Sequence, residues 1–225
     1  MVAQENNHQL GDFIKGRFDF IRERCEKAGL DFDEIMEKIH KETLHLAGSE
    51  EKKAVAEERL FEGAILSSTF LPDWLDKIFL EAISRVLQGP GSSLFTTSSE
   101  RPCIAFEAGR FNARRQAAGV FRVFFSRKTP EEWLKTTFRT IYRQCYGEEA
   151  ANRLLTEKIN DKHFKVYMDN RGLEKASPID CSTVIGYLYG GLENLGAEDI
   201  LVTHATCALL PGSLAEKCEY DVTWR

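Results

Sequence analysis

Cys181, His204, Cys207 and Cys218 form a C-x22-H-x2-C-x10-C array confined to the last fifth of the chain. If these side chains share a metal, elements far apart in sequence must meet at one point. Thiolate and imidazole are the ligands of tetrahedral zinc or iron sites, and four of them fill such a site. The spacing is not that of a zinc finger, which opens with two cysteines a few residues apart. One ligand from a helix start and three from a following hairpin fit better. The competing reading is a group of buried thiols, with His204 satisfied by a backbone carbonyl, because free cysteine packs as a small core residue.

Local pattern supports the helix-plus-hairpin arrangement. Ser177-Pro178-Ile179-Asp180 is a helix start, with a capping hydroxyl, proline in the first turn and an acidic residue to close the box. Val184, Ile185, Leu188, Leu192 and Leu195 then recur at helical spacing, while Gly186 and Gly190 permit close backbone approach. Cys181 falls in the first turn, where exposed amides favour a thiolate. Residues 199–207 and 218–224 read as the last two strands, with Pro211-Gly212 between them. His204 and Cys207 are three apart, so an ideal strand would point them to opposite faces. The site therefore requires a bulge or a strand end there.

The remainder of the chain alternates helix and strand signals. Helices are expected over 9–28, 32–47 and on to about 62, then over 73–87, 130–147, 148–158 and 177–195. Strands are expected at 103–106, 120–126 and 163–168, the last from the alternation of Phe164, Val166 and Met168. Gln88-Gly-Pro-Gly-Ser-Ser is the clearest break. Glu107–Gly119 reads as a loop carrying Arg110, Arg114 and Arg115. The first quarter has no strand signal. Residues 1–62 are expected to form a helical extension that packs on, or dimerises through, Phe13, Phe18, Ile21 and Ile35, leaving 63–225 as the ligand-binding domain.

Composition excludes several classes of function. A net charge of −5 and a pI near 5.7 give no basic stripe for nucleic acid. The chain has no apolar run long enough to span a membrane and no signal-peptide pattern at its start, so a cytoplasmic protein is expected. Six cysteines in such a protein read as thiols or metal ligands rather than disulfides. There is no P-loop, dinucleotide fingerprint or G-x-S-x-G, and no catalytic residue stands out.

The segment from Thr129 to Trp224 resembles the 4-vinyl reductase domain, the sensor module of phenol- and toluene-responsive regulators, distantly related to palmitate-binding subunits of Golgi tethering complexes. Zinc-containing members of that family place one cysteine near a helix start, an acidic ligand 23 residues on, a second cysteine three later and a last one in the closing strand. Cys181, His204, Cys207 and Cys218 follow this order, with Cys218 opening a CEYDVTW strand. Two departures are a histidine in place of the carboxylate and a longer gap before Cys218.

The resemblance implies an α+β domain with an antiparallel sheet packed against helices, a structural zinc and a sensor or carrier role for a small apolar, aromatic or acyl ligand. The aromatic-rich segments supply candidate pocket residues: Phe121, Trp133, Phe138, Tyr142, Phe164, Val166, Met168 and Tyr187. Plain core packing is the competing reading for each. A homodimer and a regulatory protein partner are also expected, since the sensors act as dimers and this chain carries no output domain. Two other functions stand beside this one. One is a metal- or cysteine-dependent enzyme, from a loose resemblance to amino-thiazoline carboxylate hydrolases or the reductase role implied by the family name. The other is a protein-interaction adaptor.

Overall fold

A computed structural model describes residues 8–89, 91–119, 121–170 and 174–225. Among them, strand β1 (His8–Leu10) leads into α1 (Gly11–Ala28), α2 (Phe32–Ala47) and α3 (Glu50–Ala56). A π-helical turn, Glu57–Glu62, extends α3. Then follow β2 (Phe70–Pro72), α4 (Asp73–Leu87), α5 (Ile104–Ala118) and the short α6 (Arg122–Phe125). The one-turn α7 (Pro130–Glu132) passes through a second π turn, Trp133–Thr137, into α8 (Phe138–Asn152). The chain closes with β3 (Leu154–Asn160), β4 (His163–Met168), α9 (Pro178–Asn194), β5 (Leu201–Thr206) and β6 (Cys218–Thr223).

The class is α+β, as expected. β3 to β6 form a four-stranded antiparallel sheet in the order β3-β4-β6-β5, and β1 pairs with β2 in a separate ribbon. Alternation decides which sheet face is inside: Phe164, Val166 and Met168 on β4, with Cys218, Tyr220 and Val222 on β6, are all buried. The buried apolar residues of the helices and the sheet form one continuous core cluster.

Helix α9 is held by its crossing with α5. A Cβ on Gly186 would lie 1.9 Å from the Phe106 carbonyl oxygen, and one on Gly109 would lie 2.1 Å from that of Thr183. The two backbones touch because neither glycine has a side chain. At the start of α9, Ser177 and Asp180 close the anticipated capping box.

Several expected elements differ. Cys103–Phe106 and 120–126 read as strands, but the first belongs to the start of α5 and the second contains α6; Val120 itself lies outside the described residues. Short apolar runs such as CIAF and VFFS fit a strand or a buried helix turn equally, and packing against α9 decides for helix. Glu107–Gly119 is accordingly helical. Its arginines are paired, Arg110 and Arg114 with Glu193 and Arg115 with Asp12 and Asp19. The helix expected over 148–158 stops at Asn152 after a break at Gly147 (φ 88°), and Leu154–Asn160 is strand β3.

The first 62 residues do contain a strand, β1, where none was anticipated. Phe13, Ile21 and Ile35 are buried within the chain, and Phe18 is half-buried with its ring 4.9 Å from Phe79 of α4. Arg17 of α1 donates through Nε and Nη2 to the Asp76 carboxylate of α4, both at 3.0 Å, in a buried pair. Residues of α1 and α2 thus pack within the chain, one of the two arrangements expected for residues 1–62.

Candidate metal centre

Three parts of the fold bring the sulfurs and the imidazole together. The capped start of α9 supplies Cys181, β5 supplies His204, the residue after β5 supplies Cys207, and the first residue of β6 supplies Cys218. Their ligand atoms all lie within 4.8 Å of one another, and all four residues are buried. The register between β5 and β6 shifts between His204 and Thr206, and β5 ends before Cys207. That bulge turns His204 and Cys207, which an ideal strand would separate, onto the same side.

The surroundings hold the cluster in place. Segment 96–99 runs beside β5: His204 donates its amide to the Thr97 carbonyl at 2.8 Å, and Ser99 donates to Val202 at 2.9 Å. The Ser182 hydroxyl, next to Cys181, accepts from the Thr96 amide at 2.8 Å. His204 stacks on Tyr220, with ring centroids 4.6 Å apart and planes 10° from parallel. The imidazole also bonds the Cys218 thiol, while its Nε2 is buried without a hydrogen-bond partner.

The thiols share their protons unequally. Cys181 lies 3.6 Å from the Cys218 sulfur and 3.9 Å from that of Cys207. Donation to those two sulfurs keeps the proton on Cys181 and raises its pKa, with burial adding to the effect. The bond from Cys181 lowers Cys218 to about 4 and Cys207 to about 7, against the opposing effect of burial. Backbone amides of Ala208 and Leu209 and the nearby His204 lower them further. A three-thiol, one-imidazole donor set of this kind suits zinc or iron, and buried charge of this density is stabilised by a cation.

The aromatic residues fall into separate groups. Trp133, Phe138, Tyr142 and Tyr187 come together: the Trp133 ring lies 5.3 Å from Phe138 and 6.3 Å from Tyr187, and Phe138 lies 6.4 Å from Tyr142. Phe121 pairs with Phe124 at 5.8 Å, and Phe164 stacks on Trp224 at 6.0 Å. Val166 is buried on the sheet, and Met168 lines a different cavity that it shares with Tyr142. Phe13, expected on the packing or dimer face of the N-terminal helices, and Tyr146, not singled out in the sequence, complete the first group with centroids 5.3 Å apart. The helical spacing of Tyr142 and Tyr146 was the available signal. The space left there is about 40 Å³.

No protein-family model matches the chain, and no curated protein matches it either. Solved structures do, and they include a series of H-NOX proteins. The chain takes the H-NOX fold. A point mutant of T. tengcongensis H-NOX is 13% identical with a TM-score of 0.56, covering 96% of this chain and 97% of that one. The S. oneidensis H-NOX in an Fe(II)NO state is 12% identical with a TM-score of 0.61, over 96% and 99%. An oxygen-binding H-NOX domain related to soluble guanylate cyclases is 13% identical with a TM-score of 0.52, over 92% and 91%.

These matches overturn the resemblance to the 4-vinyl reductase domain, and with it the aromatic- or acyl-ligand sensor or carrier that it implied. That resemblance rested on the C-terminal segment and its ligand spacing, whereas the H-NOX likeness spans nearly the whole chain, α1 to α3 included. No helix among the described residues is long and apolar enough to cross a membrane.

Proposed function

We propose that Cys181, His204, Cys207 and Cys218 hold one zinc ion as a closed structural centre in a regulatory module of the H-NOX fold. The observation that carries this is the convergence of four buried ligand atoms within 4.8 Å. Four protein ligands complete a tetrahedron, leaving no open position for a substrate, so the centre fastens structure rather than running a reaction. It ties the start of α9 to the β5–β6 hairpin, two regions otherwise joined by packing. Tyr220 supports it from outside: its buried hydroxyl faces Cys181 and favours the thiolate form. A regulatory role is argued from the fold, since a similar structure concerns the mechanism of H-NOX activation; this is analogy. The donor set favours zinc as the closed d¹⁰ ion, which has no geometric preference of its own.

Cobalt substitution tests the site. Co(II) added to metal-free full chain should give the strong thiolate charge-transfer and tetrahedral visible bands of a three-sulfur, one-nitrogen site, at one equivalent. Weak octahedral bands, or none with the protein folded, would overturn the assignment. Metal analysis of protein purified without chelator then separates zinc from iron.

A further inference from the structure

Two of the similar structures concern haem: one its redox potential under porphyrin distortion, the other the function of haem distortion in the H-NOX family. We infer that this chain is a haem-free version of the fold, its interior filled by its own aromatic side chains. A haem needs an apolar slot for its macrocycle and an axial His, Cys, Met or Tyr to reach its iron. Among the described residues no such slot is present, and His40, His163 and His204 are otherwise engaged.

The slot fails on size. Cofactor pockets run to roughly 300–1,000 Å³. Between α1, α8 and α9 the apolar space is about 40 Å³, because Phe13, Phe138, Tyr142, Tyr146 and Tyr187 stack into it. The neighbouring space, about 80 Å³, is lined by Arg17, Asp76, Lys77 and Asp180 and is too polar as well as too small. Two larger hollows, about 500 and 490 Å³, are open surface depressions. The second is lined by Glu157, Glu216, Lys217 and Glu219 beside Leu155 and Tyr167, too charged for a porphyrin face. The first sets the hydroxyl and guanidinium surface of Ser92, Thr97 and Arg101 beside Phe95 and Pro102, which is no apolar slot either. Its one sulfur, Cys103, is 5% exposed at the start of α5.

The histidines whose side chains are described fail as axial ligands on availability. His204 belongs to the sulfur cluster. His40 bonds the Glu57 carboxylate at 2.5 Å and packs on the Phe61 ring, and His163 bonds Asp221 at 2.6 Å. His45 stands exposed on α2. None of these four opens onto an apolar cavity. Cys145, on α8, is fully buried, and burial raises its pKa well above the ordinary thiol range, away from the thiolate that ligates iron. The metal-binding capacity of the described residues lies in the sulfur cluster instead.

The test is haem loading of the full chain, with folding followed independently by circular dichroism and gel filtration. The protein is expressed with a haem precursor supplied, and separately titrated with haemin, then challenged with apomyoglobin. The expected result is folded protein with no Soret band, or a band that apomyoglobin removes, which is surface adsorption. A stoichiometric Soret band that survives the challenge overturns the inference whether or not zinc is present. Folded protein lacking both zinc and a Soret band would leave this inference standing and sink the zinc assignment.

Discussion

The sulfur corner sits at the start of α9 and the aromatic interior farther along it, and each is built by a different kind of interaction. At the corner, four side chains and a bulge set the arrangement, and each ligand atom has a directional task. In the interior, Trp133, Phe138, Tyr142, Tyr146, Tyr187 and Phe13 are interchangeable in kind, and only their fit matters. A metal centre is a short list of residues with fixed spacing, whereas a packed core is a distributed property of many. The two therefore differ in how they fail, and perturbing each separately shows whether α9 couples them.

The largest effect should come from deleting residues 1–62. Ile14, Ile21, Ile39 and Leu60 are buried in the common core, and each contributes about 1.5–3 kcal/mol on burial. Their sum is comparable with the roughly 5–15 kcal/mol that holds a domain folded. A chain starting at Gly63 should be insoluble or lack cooperative unfolding; a soluble, cooperatively melting fragment would show that the helices are a separable extension.

Cys207→Ser should remove the metal and cost about 3 kcal/mol or more, because loss of a metal is among the mechanisms behind the largest single-residue effects. The helices should survive with native far-ultraviolet dichroism, because the aromatic interior does not touch the clustered sulfurs. Metal content and denaturant midpoint, measured together, check this. If both regions collapse at once, α9 couples them more tightly than packing suggests.

Acid should release the metal in the same direction. Cys207 and Cys218 are lowered below the ordinary thiol range, so the stabilising thiolate contribution is present above that range. In the metal-free cluster it is lost as pH falls through about 7 for Cys207 and about 4 for Cys218, and a bound cation moves that loss to lower pH, because protons must then displace it. Metal content after dialysis across this window should fall with pH. A content unchanged at the acid end would contradict the thiolate assignment.

Gly186→Ala should have the smallest effect, about 1–3 kcal/mol from forcing α5 and α9 apart. The Cβ would meet the Phe106 carbonyl at 1.9 Å. Metal content should remain at one per chain, since Gly186 lies more than a turn along α9 from Cys181. Thermal melting checks the first part and metal analysis the second.

The corner was the more legible of the two in sequence. The C-x22-H-x2-C-x10-C array named the four residues, and the need for a distortion between His204 and Cys207 followed from strand geometry alone. Ser177-Pro178 announced α9 for the same reason: capping is local chemistry. The interior was not readable in this way. Cys103–Phe106 and 120–126 carry apolar runs with no decisive period, so contacts with α9, distant in sequence, decided their conformation. The helix at 148–158 failed because Leu154–Asn160 is drawn into the sheet by pairing with β4, which local propensity does not contain. Tyr146 escaped notice because its partner Phe13 lies at the other end of the chain. The family resemblance misled because it was drawn from the corner, while the fold is set by the whole chain.

Native mass spectrometry of the full chain, purified without added metal or chelator, tests the central claim most directly. The expected spectrum shows the folded charge states of a chain carrying one zinc and no haem, and the zinc is lost in the Cys207→Ser variant. Folded charge states at the bare chain mass would contradict the account, because the four ligand atoms would then have come together without a metal to hold.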